Sequence, residues 1–449
     1  MNHTHPKTNG TRLLSLPKYQ PKQACENGPC GAASTRAGAA RHRHLLSVPM
    51  TQRIGDFLQQ HQNIVRHVQW GCVFIYLFLL LSPFFVQLSA VIVVRELWWP
   101  AVILATLLFG QFWCGLLCPD GTMTEFISSH GRAGKIPLGL RWFGWPLLAF
   151  SIIMLVEHLL GTHLSSMATL VLLGSSSLAA WATGYFLGRG KRIWCRYLCP
   201  VGGMFSMLAR GAMFHYRVDR NVWDATPRPL PRPVDCPQLL DVGRLRSNEK
   251  CNMCGRCSGH RNAVSLALRF PGQEIATLRE EDANPRDAFA ICFVLIGLCY
   301  GVAYERTSFL GIWLQGFYGN GPLTGLASII LTAVALGGSV AALLWLAAAG
   351  HIRRAVLLAY GLIPVAGIGL FLSALEYAKV VLEQTGVGTL AWVSWLRFPL
   401  FLVGITWTIA IGLFMAGRLD VSPIGRAVAA IGHVMAVAVV AICYLLVPL

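Results

Sequence analysis

Apolar residues in this chain come in long uninterrupted runs, without the alternation of a strand or the one-sided stripe of a surface helix. Nine runs stand out, at about 70–87, 98–113, 143–160, 167–187, 288–304, 323–347, 355–375, 398–416 and 427–446. A bilayer core about 30 Å thick takes roughly 20 apolar residues per helix, and backbone groups in lipid must be satisfied within their own segment. The pattern predicts an all-α polytopic membrane protein with about nine transmembrane helices. The second and fifth runs are short, and Pro364 and Pro399 interrupt two others.

Two polar stretches divide the runs. Residues 1–66, rich in His, Arg, Gly and Ala, read as a disordered basic tail with a short surface helix near 51–66. Residues 209–287 are a polar insertion, entered through the stiff run Pro227-Arg228-Pro229-Leu230-Pro231-Arg232-Pro233. Between them, 67–208 is expected to form a four-helix membrane unit. Residues 288–449 then form a five-helix bundle whose small residues allow close helix packing.

Composition agrees: 55% of the 449 residues are hydrophobic and 13% charged, where a soluble domain carries about 25% charged residues. The net charge of +17 matters through its placement. Lys and Arg concentrate in the tail, in 114–142, in 188–287, in 351–354 and in 418–426, and the intervening loops hold fewer. By the positive-inside rule this puts the N-terminus and those segments in the cytoplasm and the C-terminus in the periplasm. The basic surplus thus reads as topology and contact with the lipid bilayer. A nucleic-acid partner is not expected, because its basic residues would be interleaved with aromatics on a soluble fold.

Fourteen cysteines then change the picture. Trp113-Cys114-Gly115-Leu116-Leu117-Cys118-Pro119-Asp120-Gly121 and Trp194-Cys195-Arg196-Tyr197-Leu198-Cys199-Pro200-Val201-Gly202 are two copies of one unit, each closing an apolar run. On a helix the paired cysteines stand at i and i+4 on one face, and the proline stops that helix. One span lies between the two helices that lead into the copies, so both emerge on the same side, where a reducing cytoplasm favours metal binding over disulfides. Cys114, Cys118, Cys195 and Cys199 are therefore candidate metal or redox ligands.

A third group, Cys251-x-x-Cys254-x-x-Cys257, has the spacing of the first three ligands of a bacterial ferredoxin. The expected fourth position holds Arg261, and Cys236-Pro237 lies 15 residues upstream as a remote replacement. His260 gives the competing set Cys251, Cys254, Cys257 and His260 for zinc. Eight grouped cysteines suffice for two four-ligand centres. Either the two pairs share one site beside a second on Cys236, Cys251, Cys254 and Cys257, or a helix-end cysteine completes the polar group.

Cys72, Cys292, Cys299 and Cys443 lie within spans and read as small apolar residues, and Cys25 and Cys30 lie in the tail. Ionisable residues inside a membrane are functional candidates by default. Glu157 and His158 read as a quinone-site candidate or as interface residues, and His433 as a hydrogen-bonded packing residue. They do not form a bis-histidine haem pattern.

On the duplicated unit and the cysteine group that follows it, residues 67–262 resemble the membrane polyferredoxins of the NapH, NosR and CcoG kind. These are 4Fe-4S proteins with paired Cys-x-x-x-Cys-Pro motifs. The resemblance implies one or two 4Fe-4S clusters in a bacterial inner-membrane, multi-pass protein. It implies electron transfer from quinol or a cytosolic donor to a partner protein in a respiratory or maturation pathway. Reduction or assembly of copper for a respiratory enzyme is the alternative, and a redox-sensing transporter a third. The displaced fourth ligand and the five added spans depart from the family pattern.

Overall fold

The computed structural model describes residues 49–85, 90–160, 165–226, 231–384, 386 and 392–445. Seven helices among them are long and apolar enough to cross a bilayer: Gln62–Phe84, Ser166–Phe186, Pro285–Ala303, Pro322–Ala347, Ile363–Gln384, Trp392–Gly417 and Pro423–Leu445. The two remaining runs are also helical, as Ala90–Phe109 and the shorter Trp145–Leu160. The chain is an all-α polytopic membrane protein.

One boundary moves for a clear reason. The run expected at 355–375 breaks at Gly361 into an amphipathic helix, Ile352–Tyr360, and the span proper, Ile363–Gln384. Pro364 falls in the first turn of that span, where its missing N–H has no intrahelical partner to lose. It starts a helix and does not interrupt one. Every residue from Ile363 to Leu375 is buried, as expected of a helix apolar on all sides. This helix is the axis of the bundle, packed against Ala90–Phe109 and Trp392–Gly417.

Residues 49–66 are not a free tail. Helix Pro49–Gln60 lies against the polar insertion, and the first span begins at Gln62; residues 1–48 fall outside the described residues. Within the insertion, β1 (Phe214–Val218) pairs antiparallel with β2 (Val264–Leu268), from Phe214↔Leu268 to Val218↔Val264. Tyr216, Val264 and Leu266 from the strands bury Val242, Cys251 and Met253 in a small core of their own.

A buried ionic knot fastens this body to the bundle. Arg210 meets Glu249 at 2.7 Å and Asp287 at 3.8 Å, and Arg269 meets Glu274 at 2.7 Å. Tyr360 donates its hydroxyl to Asp287 at 2.5 Å. A hydrogen bond to a charged group contributes about 2 kcal/mol. Tyr360→Phe is therefore expected to lower stability by about that amount, read as a lower thermal midpoint in detergent.

Candidate metal centre

Both copies of the repeat fold alike, and not as a single helical face. Phe112–Leu116 is a short helix, Leu117 closes it, and Cys118 caps the next helix, Pro119–His130. In the second copy Ile193–Tyr197 ends at Leu198, and Cys199 stands at the head of Pro200–Leu208. Each pair brackets a break between two helices, which corrects the i, i+4 expectation. The reason is the proline: at a helix's first position its ring presets φ and its lost N–H is one that would be free anyway. Pro119 and Pro200 start helices as well as stop them.

The consequence is chemical, because free amides at a helix N-terminus favour a thiolate. The Gly121 N–H donates to Cys118 Sγ at 3.4 Å, and the Val201 and Gly202 amides act likewise on Cys199. The copies also face each other. Burial pushes the Cys118, Cys195 and Cys199 thiols up to about 12, with Cys195 adding to the push on Cys118 and Cys118 to that on Cys199. Cys114 is pushed well above its ordinary value, by burial and then by Cys118, Cys199 and Cys195. Four thiols that oppose one another's ionisation become good ligands once a cation stands among them.

The other four form a second set. Cys236, Cys251, Cys254 and Cys257 all line one cavity of about 20 Å³. Tyr216 shares its wall, and its buried hydroxyl has no hydrogen-bond partner among the described residues. The loop passes through two left-handed residues, Met253 (φ 56°) and Gly255 (φ 83°). Such turns curl successive amides inward into an anion-binding nest: the Met253 amide serves Cys251, and the Arg256 amide serves Cys254. Burial raises the Cys251, Cys254 and Cys257 thiols, Cys251 to about 12. Helix Pro49–Gln60 covers the loop, its Leu58 against Gly255, and Gln62 donates to the Cys254 carbonyl at 3.5 Å.

The two sets adjoin. Gly115, between the first pair of cysteines, packs so tightly on the second loop that a Cβ there would lie 1.9 Å from the Asn252 carbonyl oxygen. Arg192, 1% exposed, fills the seam. It donates to Glu125 at 2.8 Å and to the Cys114 carbonyl at 2.6 Å. Its charge acts on Cys195 of one set and Cys254 of the other. Glu125 also pairs with Arg256. Burial works to raise this carboxyl, but the two guanidiniums hold it below its usual range.

The remaining candidates lie elsewhere. The His260 ring packs on Trp223 at 5.4 Å and is not part of the cysteine cavity; the structure does not bring it to Cys251, Cys254 and Cys257 as the zinc set required. Glu157 pairs with Arg95 at 2.9 Å, and His158 with Glu305 at 2.8 Å. His433 is fully buried, 3.4 Å from the Thr408 carbonyl. It fills a socket that Gly412 leaves open, since a Cβ at 412 would meet the ring at 1.9 Å.

Spacing tests the fit of a metal group. Zinc with Zn–S bonds of about 2.3 Å draws its four thiolates to roughly 3.8 Å of one another. Among the described residues no three His, Cys, Asp or Glu side chains are gathered to hold a single ion in that way. Two all-thiol fours with inward amides suit iron–sulfur ligation, in which each cysteine binds a different corner of a larger group.

The comparisons with known proteins bear on the paired motifs. Residues 93–146 and 170–218, which contain both repeats, match the family described as a 4Fe-4S binding domain. NirI of Paracoccus denitrificans is 26% identical over 183 residues, 35% of this chain and 26% of the relative. Regulatory protein NosR of Pseudomonas aeruginosa is 23% identical over 182 residues, 35% of this chain and 25% of the relative. An uncharacterised protein of Methanocaldococcus jannaschii is 26% identical over 164 residues, 35% of this chain and 63% of the relative. The chain thus spans about a quarter of the length of NirI and NosR. No solved structure matches. Both paired motifs thus lie in segments similar to a 4Fe-4S binding domain, in a chain with seven described helices long and apolar enough to cross a membrane.

Arg192, Glu125, Gly115 and Tyr216 escaped the sequence reading. Only Arg192 carried a signal there, a basic residue two positions ahead of the second Trp-Cys.

Proposed function

We propose that the chain is an electron relay with two 4Fe-4S centres, one held by Cys114, Cys118, Cys195 and Cys199 and one by Cys236, Cys251, Cys254 and Cys257. It would pass electrons from quinol or a cytosolic donor to a respiratory or maturation partner. The observation that carries this reading is the contact of the two cysteine fours at Gly115 and Asn252, with Arg192 buried in the seam. A 4Fe-4S cluster supplies one-electron chemistry when bound. The chain's own residues do the rest. Helix-end and nest amides donate to the sulfurs, Tyr216 and the helix over the loop keep water out, and Arg192 offsets the negative charge that reduction adds. The basic loops on the cysteine side support a cytoplasmic placement of both fours.

Anaerobic purification with iron, sulfide and zinc counts tests the reading, together with electron paramagnetic resonance (EPR) of the reduced protein. Two distinguishable signals are expected, with Cys254→Ser removing one and Cys199→Ser the other. Stoichiometric zinc without iron would overturn it.

A further inference from the structure

Between the second repeat, the start of helix Trp145–Leu160 and Gln238, Glu249 and Lys250 of the polar insertion lies a cleft of about 90 Å³, with Cys195 and Arg196 in its wall. Its surroundings suit a membrane surface. Helix Trp145–Leu160 starts there, and the rings of Trp142 and Trp145, about half exposed, stand edge to face 5.2 Å apart, as aromatics do at the lipid headgroup level. Phe143, Pro146 and Leu147 give the cleft an apolar flank toward the bilayer.

The polar wall is cationic. Arg141, Arg196 and Lys250 line it against one carboxylate, Glu249, which Arg210 holds at 2.7 Å and Lys250 meets at 3.5 Å. Arg196 is the informative one. Its guanidinium lies 5.8 Å over the Tyr197 ring, and its buried Nη1 has no hydrogen-bond partner among the described residues; a buried charged donor left unpaired is strongly unfavourable. The volume limits what can answer it: a nucleotide or other drug-sized ligand needs about 300 Å³ or more, whereas a single tetrahedral anion fits.

We infer that this cleft binds the phosphate of an anionic phospholipid, with the Arg196 guanidinium turning outward to donate to a phosphate oxygen, Arg141 and Lys250 at the rim, and the acyl chains leaving past Phe143 and Leu147. The bound head group covers Cys195 from water and sets a negative charge beside it. If the proposed iron–sulfur reading holds, that charge lowers the potential of the centre at the helix ends. The lipid site itself does not depend on that reading.

Native mass spectrometry of the full chain in detergent tests it, with delipidated protein offered phosphatidylglycerol, phosphatidylcholine or inorganic phosphate. Phosphatidylglycerol is expected to be retained over phosphatidylcholine, and Arg196→Gln should weaken it about tenfold, the scale of one charge-assisted hydrogen bond. Arg141→Gln, at an exposed rim position, should weaken it less and covers the case in which Arg196→Gln fails to fold. Equal retention of both lipids, binding of inorganic phosphate alone, or retention of a quinone analogue in place of phosphatidylglycerol would overturn the assignment. Metal-free protein should retain the lipid too, so the outcome separates from that of the iron counts. In loaded protein, nanodiscs of phosphatidylglycerol should shift one EPR-monitored potential negative relative to phosphatidylcholine, and Arg196→Gln should abolish that difference.

Discussion

Arg192→Gln is expected to lower the iron content of the purified protein and to shift both EPR-monitored potentials negative in whatever fraction stays loaded. The guanidinium is 1% exposed and holds Glu125 at 2.8 Å and the Cys114 carbonyl at 2.6 Å. Removing one partner of a buried ion pair costs about 3–5 kcal/mol, because the other charge stays behind in low dielectric. Arg256 remains on Glu125, which puts the loss at the lower end. The sign of the potential shift follows from charge: reduction adds an electron, a nearby cation stabilises the product, and its removal favours the oxidised form. A change worth about 1.4 kcal/mol moves a one-electron couple by about 60 mV. Both centres should respond, since the charge acts on Cys195 and on Cys254. Arg192→Lys should recover part of the potential and less of the iron content, because an ammonium supplies the charge without the fork that spans Glu125 and Cys114. Unchanged potentials in Arg192→Gln would show that the seam is structural alone.

The chain's sequence displays what is local and hides what is built across it. Apolar runs are readable because each helix must bury its own backbone in lipid, and Ile363–Gln384 shows its central place by being apolar all round. The break within each repeat was misread because a proline stops one helix and starts the next with equal ease; Pro119 and Pro200 do both. The strands Phe214–Val218 and Val264–Leu268 are five residues each and lie 45 residues apart (264 minus 219). Neither has a long alternation or a hairpin turn to announce it. Cys236 could be nominated as a remote ligand from sequence, but its place in the cavity with Cys251, Cys254 and Cys257 depends on tertiary contacts. One such contact is the Arg192 amide donating to the Pro237 carbonyl at 2.9 Å. Arg192 and Glu125 stand 67 residues apart, and no spacing rule connects them.

Gly115→Ala is expected to drive the two cysteine groups apart while leaving each able to form. In an ordinary helix this change is favourable, by up to about 1 kcal/mol. Here the new Cβ would lie 1.9 Å from the Asn252 carbonyl oxygen and 3.0 Å from the Cys254 amide nitrogen. Both are backbone atoms and cannot rotate away, so the loop carrying Cys251, Cys254 and Cys257 must lift. Overpacking of this kind costs about 1–3 kcal/mol, and it also strains the hydrogen bond from Gln69 to the Gly115 carbonyl, 2.9 Å long. The equivalent position in the second repeat is Arg196, which lines the cleft beside Trp142. The two copies therefore differ where their neighbours differ: a missing side chain seats the polar loop, and a long cationic one lines a cleft. Reduced Gly115→Ala should keep two EPR signals but lose the spin–spin broadening between them, with a lower thermal midpoint. Broadening and midpoint equal to those of the parent chain would mean that the contact at Asn252 does not set the distance between the centres.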